Sequence, residues 1–217
     1  MKNNININYA YDTTILPKAL LFKPIRFIDY YNIEDPFIKC PAIQDFYRNV
    51  FVVPFPVDFY GEFRVEGDAF MCIKSNIDRQ FVPDFCLITF NTFDLQIRPL
   101  EMFCWSDEEC VVDTWGAERS GLLNIAGSLN IRNWIRPIHP AYIIPKDLKN
   151  SFVVDIKRGH PWLFLKFNTE KKVELTYNFD QNIIDEGYKM SVSGKFVKGV
   201  KKYFKKFAEI RPKKLTK

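Results

Sequence analysis

His139 and His160 are the first residues of this sequence whose type could do chemistry, and they are its only histidines. Each stands directly before a proline, in a segment with the composition of a turn. No HxH, HxD or HExxH motif surrounds either one, so the spacing of a zinc site is missing. We therefore expect both histidines to be structural or solvated, and we expect no bound metal.

Five cysteines are the next candidates, but neither CxxC nor GxSxG occurs in the chain. No cysteine lies in a local signature of a catalytic thiol, so nucleophilic catalysis is not indicated. We expect reduced and mostly buried thiols, as in an intracellular protein. They are Cys40, Cys72, Cys86, Cys104 and Cys110.

Glycines and carboxylates also fall short of a ligand motif. Gly116, Gly121 and Gly127 are too far apart for a phosphate-binding or dinucleotide loop. The acidic set at 107–113 (Asp107, Glu108, Glu109 and Asp113) lacks the spacing of a calcium loop, although such a set could bind a divalent cation. A solvated turn is the favoured interpretation, and we predict no cofactor.

The C-terminal segment carries most of the positive charge. Residues 195–217 hold nine lysines and Arg211 against Glu209, a net charge of +9, whereas the whole chain has +5, which leaves −4 for residues 1–194. Apolar side chains recur there with helical spacing, which predicts a basic amphipathic helix. Its candidate contacts to a partner or an anion are Lys198, Lys201, Lys202, Lys205, Lys206 and Arg211.

Four roles stay open for this helix. It packs on the domain with its lysines in solvent, docks on a partner protein, contacts an anionic membrane surface, or contacts the phosphates of a nucleic acid. The steep salt dependence of phosphate contacts distinguishes the last role.

The rest of the chain has a β composition, because 47% of its residues are hydrophobic and 16% are aromatic. Residues 152–179 contain three runs rich in β-branched and aromatic residues, separated by short polar breaks, which predicts a three-stranded antiparallel meander. The middle run, Trp162–Phe167, is apolar on both faces apart from Lys166 and should be covered on both sides. The last run alternates and should expose one face.

Other segments complete a mostly β fold. We expect an antiparallel β-sandwich or barrel-like domain over residues 1–190 and a basic amphipathic helical tail over residues 191–217. The predicted parts are an edge strand at 2–9, an extended segment at 17–39, a short helix at 41–49, a strand at 50–53, a hairpin at 57–73, strands near 86–90, 95–105 and 110–114, an irregular excursion at 115–130, short extended pieces at 130–138 and 141–144, and a polar linker at 182–188.

Three stretches resemble a known family. Residues Lys39–Phe59, Asn130–Ile138 and Ile156–Leu175 are similar to a family of uncharacterised proteins encoded by large tailed phages, especially phages of marine bacteria. The most specific part is a basic-Gly-x-Pro turn followed by an aromatic strand and Asn-Thr, and the resemblance covers about residues 1–180. It implies a phage protein of the host cytoplasm or the virion, and it transfers no catalytic residue.

A fainter likeness links the Gly-Pro hairpin to the last hairpin of trimeric dUTPases. The Gly-x-x-Asp turn and the Gly-rich tail of those enzymes are missing here. No apolar run approaches the roughly 20 residues of a membrane span. The first residues, MKNNININYAYD, lack the apolar region of a signal peptide, so secretion by a signal peptide is not expected.

The leading functional expectation is a non-enzymatic structural or protein-binding domain that docks on a protein partner or forms a homo-oligomer. One alternative is a small β-fold enzyme or ligand-binding module acting on nucleotides or metabolites. A second alternative is a nucleic-acid-binding accessory protein that uses the basic C-terminal helix. A deep pocket with convergent polar groups and perturbed carboxylates would favour the enzyme.

Overall fold

Strand dominates the structure, as the composition predicts. The computed structural model describes residues 4–14, 16–32, 40–66, 69–89, 93–145, 148 and 150–192. Strand accounts for 48% of the described residues and helix for 19%. Nearly all strand pairs are antiparallel, so the mostly β, antiparallel class is confirmed.

The described strands and helices have the following bounds. The strands are β1 Asn4–Asp12, β2 Ile25–Arg26, β3 Val50–Pro54, β4 Phe59–Glu66, β5 Ala69–Ser75, β6 Cys86–Thr89, β7 Asp94–Ile97, β8 Glu101–Trp105, β9 Val111–Gly116, β10 Leu123–Ile125, β11 Gly127–Asn130, β12 Ala141–Ile143, β13 Ser151–Ile156, β14 Pro161–Asn168 and β15 Lys172–Tyr177. The helices are α1 Phe27–Tyr30, α2 Pro41–Tyr47, α3 Val82–Phe85 and α4 Gln181–Val192.

These strands form four sheets within the described ranges. Sheet A has the order β15-β1-β8, sheet B β11-β9-β14-β3-β2, sheet C β13-β4-β5 and sheet D β10-β12-β7-β6. Strands β1 and β15 run parallel, with Ile5 opposite Val173 and Ile7 opposite Leu175. All four sheets contribute to one hydrophobic core.

The predicted meander is wrong, although its three strands are present. Strand β13 pairs with β4 in sheet C, β14 with β3 and β9 in sheet B, and β15 with β1 in sheet A. Since β14 has a partner along each edge, its sequence neighbours have no free edge to join. The turn at Gly159, whose φ of +83° suits glycine, redirects the chain between sheets.

The burial predicted for these strands is confirmed. The run Trp162–Leu165 in β14 is fully buried, and its Trp162 indole donates a hydrogen bond to the Ile97 carbonyl at 2.9 Å. In β15, Val173 is buried while Glu174 and Thr176 are exposed. Alternation along one strand therefore identifies its faces, but it does not identify its partner.

Two further predictions are confirmed and one is partly wrong. The short helix near Pro41 is α2, and β4 and β5 form the expected hairpin. Strand β1 alternates as predicted, yet it lies in the centre of sheet A rather than at an edge. It occupies the centre because β15, from the far end of the chain, covers its second edge.

Regular structure also occurs in two segments predicted to be irregular. Residues 17–39 contain β2 and α1, because Pro24 precedes both and interrupts neither. Residues 115–130 contain β10 and β11, which gain their hydrogen bonds from the distant strand β12 and from β9.

The predicted polar linker at 182–188 is helix α4 instead. Ile183, Ile184 and Met190 bury one face of this helix against sheet A, where they pack with Phe103. Gly187 allows the close approach, since a Cβ there would lie 2.7 Å from Cε1 of Phe103. The exposed polar residues Asn182, Asp185 and Lys189, together with the buried Glu186, interrupt this apolar stripe in the sequence and hid it. Residues 193–217, with most of the predicted tail, lie outside the described residues.

We predict that Gly116→Ala lowers the free energy of unfolding by about 1–3 kcal/mol, because overpacking a tight contact is destabilising. A Cβ at Gly116 would lie 2.6 Å from Cζ of Tyr142 and 2.7 Å from Cβ of Pro140. Urea denaturation measures the change. Gly127→Ala is the matched control, since its Cβ would meet only Oγ1 of Thr114 at 3.6 Å. Equal effects of both substitutions would contradict the packing described at Gly116.

Candidate functional site

The two histidines lie in different environments. His160 is exposed, whereas His139 lines a cleft and its Nδ1 is enclosed without a hydrogen-bond partner among the described residues. Burial, and then the positive charges of Arg136 and Arg98, lower the pKa of His139 to about 4. His139 is therefore neutral at pH 7.

The acidic set at 107–113 does not converge on one point. Glu109 accepts hydrogen bonds from Asn130 at 2.8 Å and Asn133 at 3.3 Å, and Asp113 accepts one from Asn168 at 2.7 Å. Glu108 forms an ion pair with Lys171. Among the described residues no group of three His, Cys, Asp or Glu side chains could hold a metal ion.

All five cysteines are free thiols, and three of them are buried, as expected. Burial raises the pKa of the Cys110 thiol to about 11 and those of Cys86 and Cys104 further. A thiol with a raised pKa is a poor nucleophile at neutral pH. Cys40 is exposed and lies just before α2.

The candidate contacts of the basic tail cannot be placed. Lys198, Lys201, Lys202, Lys205, Lys206 and Arg211 all lie outside the described residues, so their role stays a prediction.

A small polar pocket of about 150 Å³ lies where α4 meets the end of β1 and the start of β8. The Tyr188 hydroxyl donates a hydrogen bond to Oδ2 of Asp12 at 2.5 Å, and the backbone N–H of Thr14 donates to Oδ1 of Asp12 at 2.9 Å. Arg98 and Glu101 form an ion pair at 3.6 Å. Asp84 completes the lining.

Burial raises the pKa of Glu101, and burial together with the bond to Asp12 raises that of Tyr188. Such shifts occur at catalytic sites and also in structural networks. The pocket is smaller than the roughly 300 Å³ at which ordinary ligand sites begin. Its bonds join α4 to sheet A, so the clearest physical role of the pocket is to hold that helix in place.

The outer face of sheet D carries several apolar side chains that stay uncovered in the described part of the chain. Tyr142 and Leu95 point into the core, so their strand neighbours face outward. Leu123 stands opposite Ile143, and Ile125 stands opposite Ala141. Four side chains on this face are exposed: Leu87 by 36%, Leu123 by 57%, Ile125 by 38% and Ile143 by 44%. We call these four residues the apolar face.

A cleft of about 250 Å³ adjoins the apolar face and shares Ile125 with it. Apolar side chains of Leu129, Trp134 and Ile138 line the cleft together with a few polar groups. The polar groups include Arg136 and His139. A flat apolar surface beside such a recess suits a protein partner that places one anchoring side chain in the recess.

Sequence reasoning missed this face because Leu123 and Ile125 lie in the segment predicted to be irregular. The alternation of Leu123, Asn124 and Ile125 was too short to indicate a strand. Asn124 bonds the backbone of Gly116 through both ends of its side-chain amide, which fixes β10 beside β9.

No family model, no curated protein and no solved structure matches this chain. Among the described helices, none has both the length and the apolar content to cross a membrane.

We predict that His139 makes the fold less stable as the pH falls from about 6.5 to 4. The pKa of His139 is about 4 in the folded chain, which is below its value in the unfolded chain. His139 therefore gains a proton in this window only when the chain is unfolded. Unfolding free energies measured across the window should fall by about 1–3 kcal/mol more in the wild type than in His139→Gln. His160→Gln, at the exposed histidine, is the matched control substitution. Parallel curves for wild type and His139→Gln would contradict the buried neutral imidazole.

Proposed function

We propose that this chain is a phage-encoded, non-enzymatic protein-binding domain that docks on its partner through the apolar face of sheet D. The observation that carries the proposal is the set of exposed side chains at Leu87, Leu123, Ile125 and Ile143. Several exposed apolar side chains on one face of a sheet are typical of interaction sites, because a monomer gains nothing from keeping them in water.

The polar residues on the outer face of sheet D support a protein as the partner that covers this face. Between the apolar side chains lie Gln96, Thr89 and Asp94, so the outward positions of sheet D carry a single charged residue. Depletion of charge at the centre with polar groups around it is the usual composition of a protein interface. The partner is another protein or a second copy of this chain.

The proposed setting rests on the resemblance to proteins of large tailed phages, which favours the virion or the infected host cytoplasm. We infer a sandwich-like scaffold, since the inner faces of sheets A, B, C and D all contribute to one core. On this scaffold the basic tail is a proposed second contact, to the partner or to an anionic surface.

A second candidate function, a small β-fold enzyme or ligand-binding module, is favoured by one observation. Glu101, with its raised pKa, lines the polar pocket next to Arg98 and Tyr188. A nucleotide or metabolite that protects this pocket, rather than the apolar face, from chemical labelling would move the assignment to that class.

We predict that a photo-crosslinking amino acid at position 143 captures a protein partner in the cells that produce this chain. Ile143 lies opposite Leu123 on the apolar face and is 44% exposed, so its side chain should contact a partner that covers that face. Mass spectrometry of the cross-linked product identifies either a different protein or a second copy. The same amino acid at position 153 is the control, because Val153 is similarly exposed, by 50%, but lies on sheet C.

Loss of the partner provides the complementary test. In chains without the photo-crosslinking amino acid, Leu123→Asp and Ile143→Asp should each abolish co-purification of the partner that cross-linking identified. Val153→Asp should preserve it. Capture from position 153 together with none from position 143 would contradict the proposed docking face.

A further inference from the structure

Two adjoining clefts that share no residue with the apolar face form a surface of different chemistry. The larger, of about 500 Å³, is lined by Arg26, Arg48, Lys171 and Lys172, and the smaller, of about 320 Å³, contains Lys166 and Phe46. Both clefts share Arg48, Asn49 and Glu170. We call the two clefts together the cationic groove.

Charge in the groove is opposite to that of the surrounding chain. Five cations line it against two carboxylates, Asp45 and Glu170, which leaves +3. Residues 1–194 as a whole carry −4. A local positive region on a mildly acidic protein attracts anions to one place.

Part of this charge is available to a ligand. Arg48 pairs with Asp45, and Lys171 pairs with Glu108. Arg26 and Lys172 form no ion pair with any residue in the described ranges, and both are exposed. An anion bound between them would therefore displace no existing ion pair.

Buried hydrogen bonds fix the position of the groove's floor. The Asn49 amide donates to the carbonyls of Thr169 at 2.8 Å and Lys171 at 3.0 Å, and its oxygen accepts from Val173 N–H at 3.2 Å. These bonds hold the backbone on both sides of Lys172. The groove is consequently pre-organised, which lowers the cost of ordering on binding.

An aromatic ring stands in the groove beside the cations. Phe46 is 48% exposed, and the Lys166 ammonium lies 3.8 Å from its ring centroid. An exposed ring next to cations is the arrangement on which unpaired bases stack while lysines and arginines contact the backbone.

We propose that the cationic groove binds single-stranded nucleic acid, with phosphates contacting Arg26, Arg48 and Lys172 and a base stacking on Phe46. The exposed ring favours this ligand over an acidic peptide, which would use the cations and gain little from a planar ring. This surface is separate from the apolar face of sheet D, so the two assignments stand or fall independently.

Fluorescence anisotropy of a labelled oligothymidine strand with the full chain tests the charge contacts. The double variant Arg26→Gln/Lys172→Gln should bind roughly tenfold more weakly, and the slope of log affinity against log salt should become shallower by about 0.7 for each lost phosphate contact. Arg64→Gln/Lys74→Gln removes the same two charge types from sheet C and should match the wild type.

Phe46→Leu tests base stacking separately from charge. The exposed ring contributes little to the core, and its loss should weaken oligothymidine binding at least about fivefold while leaving the salt slope unchanged. Phe179→Leu is the control, since Phe179 is 47% exposed and does not line the groove. Thermal unfolding of each variant verifies that the fold is intact.

Three results would overturn the proposal. The first is no binding by the wild-type chain. The second is binding that all groove variants retain, which would assign it to the basic tail. The third is displacement of the strand by polyglutamate with equal effect in wild type and Phe46→Leu, which would identify a surface for acidic polypeptides.

Discussion

The structure depends on how the chain passes from sheet B to sheet A after β14, and the side chain of Asn49 fixes that passage. This amide is buried and satisfies three backbone groups between Thr169 and Val173. A buried amide without those partners would be costly, so the segment has one well-defined path. That path places β15 parallel to β1 and makes β1 the central strand of its sheet.

The surfaces follow from which sheet faces are covered. Helix α4 continues from β15 and buries the outer face of sheet A, with Tyr188 bonded to Asp12 at its edge. Helix α1 covers part of sheet B, where Phe27 packs on Phe164, and α2 stacks on α1 through Tyr47, with the cationic groove beside α2. No described helix covers sheet D, which leaves Leu123 and its neighbours in solvent. Of the two proposed binding surfaces, the apolar face is thus left open by the helices, whereas the cationic groove lies beside α2.

Local patterns in the sequence predicted strands well and pairing poorly. The alternation of β15 and the apolar run of β14 identified their burial, because those properties depend on single side chains. The meander prediction failed because partners lie as far apart as Asn4 and Lys172, and no local pattern encodes such a pairing. The apolar stripe of α4 was hidden among polar residues for a similar reason. It can be recognised only from its packing against Phe103 in the folded chain.

The candidate sites were even less accessible to sequence reasoning. Leu123 and Ile143 become neighbours through strand pairing, and Arg26 meets Lys172 only in the folded chain. The sequence directed attention to the histidines and the basic tail because those residues are chemically conspicuous. Of these, His139 does line the cleft beside the apolar face, where it is half-buried and its lowered pKa leaves it neutral at pH 7.

The most direct test of the account is diazirine footprinting of the chain alone and in the assembly isolated from the cells that produce it. If the apolar face is the docking surface, Leu123, Ile125 and Ile143 are labelled in the isolated chain and protected in the assembly. Equal labelling of these side chains in both states, with protection confined to the pocket around Glu101, would contradict it.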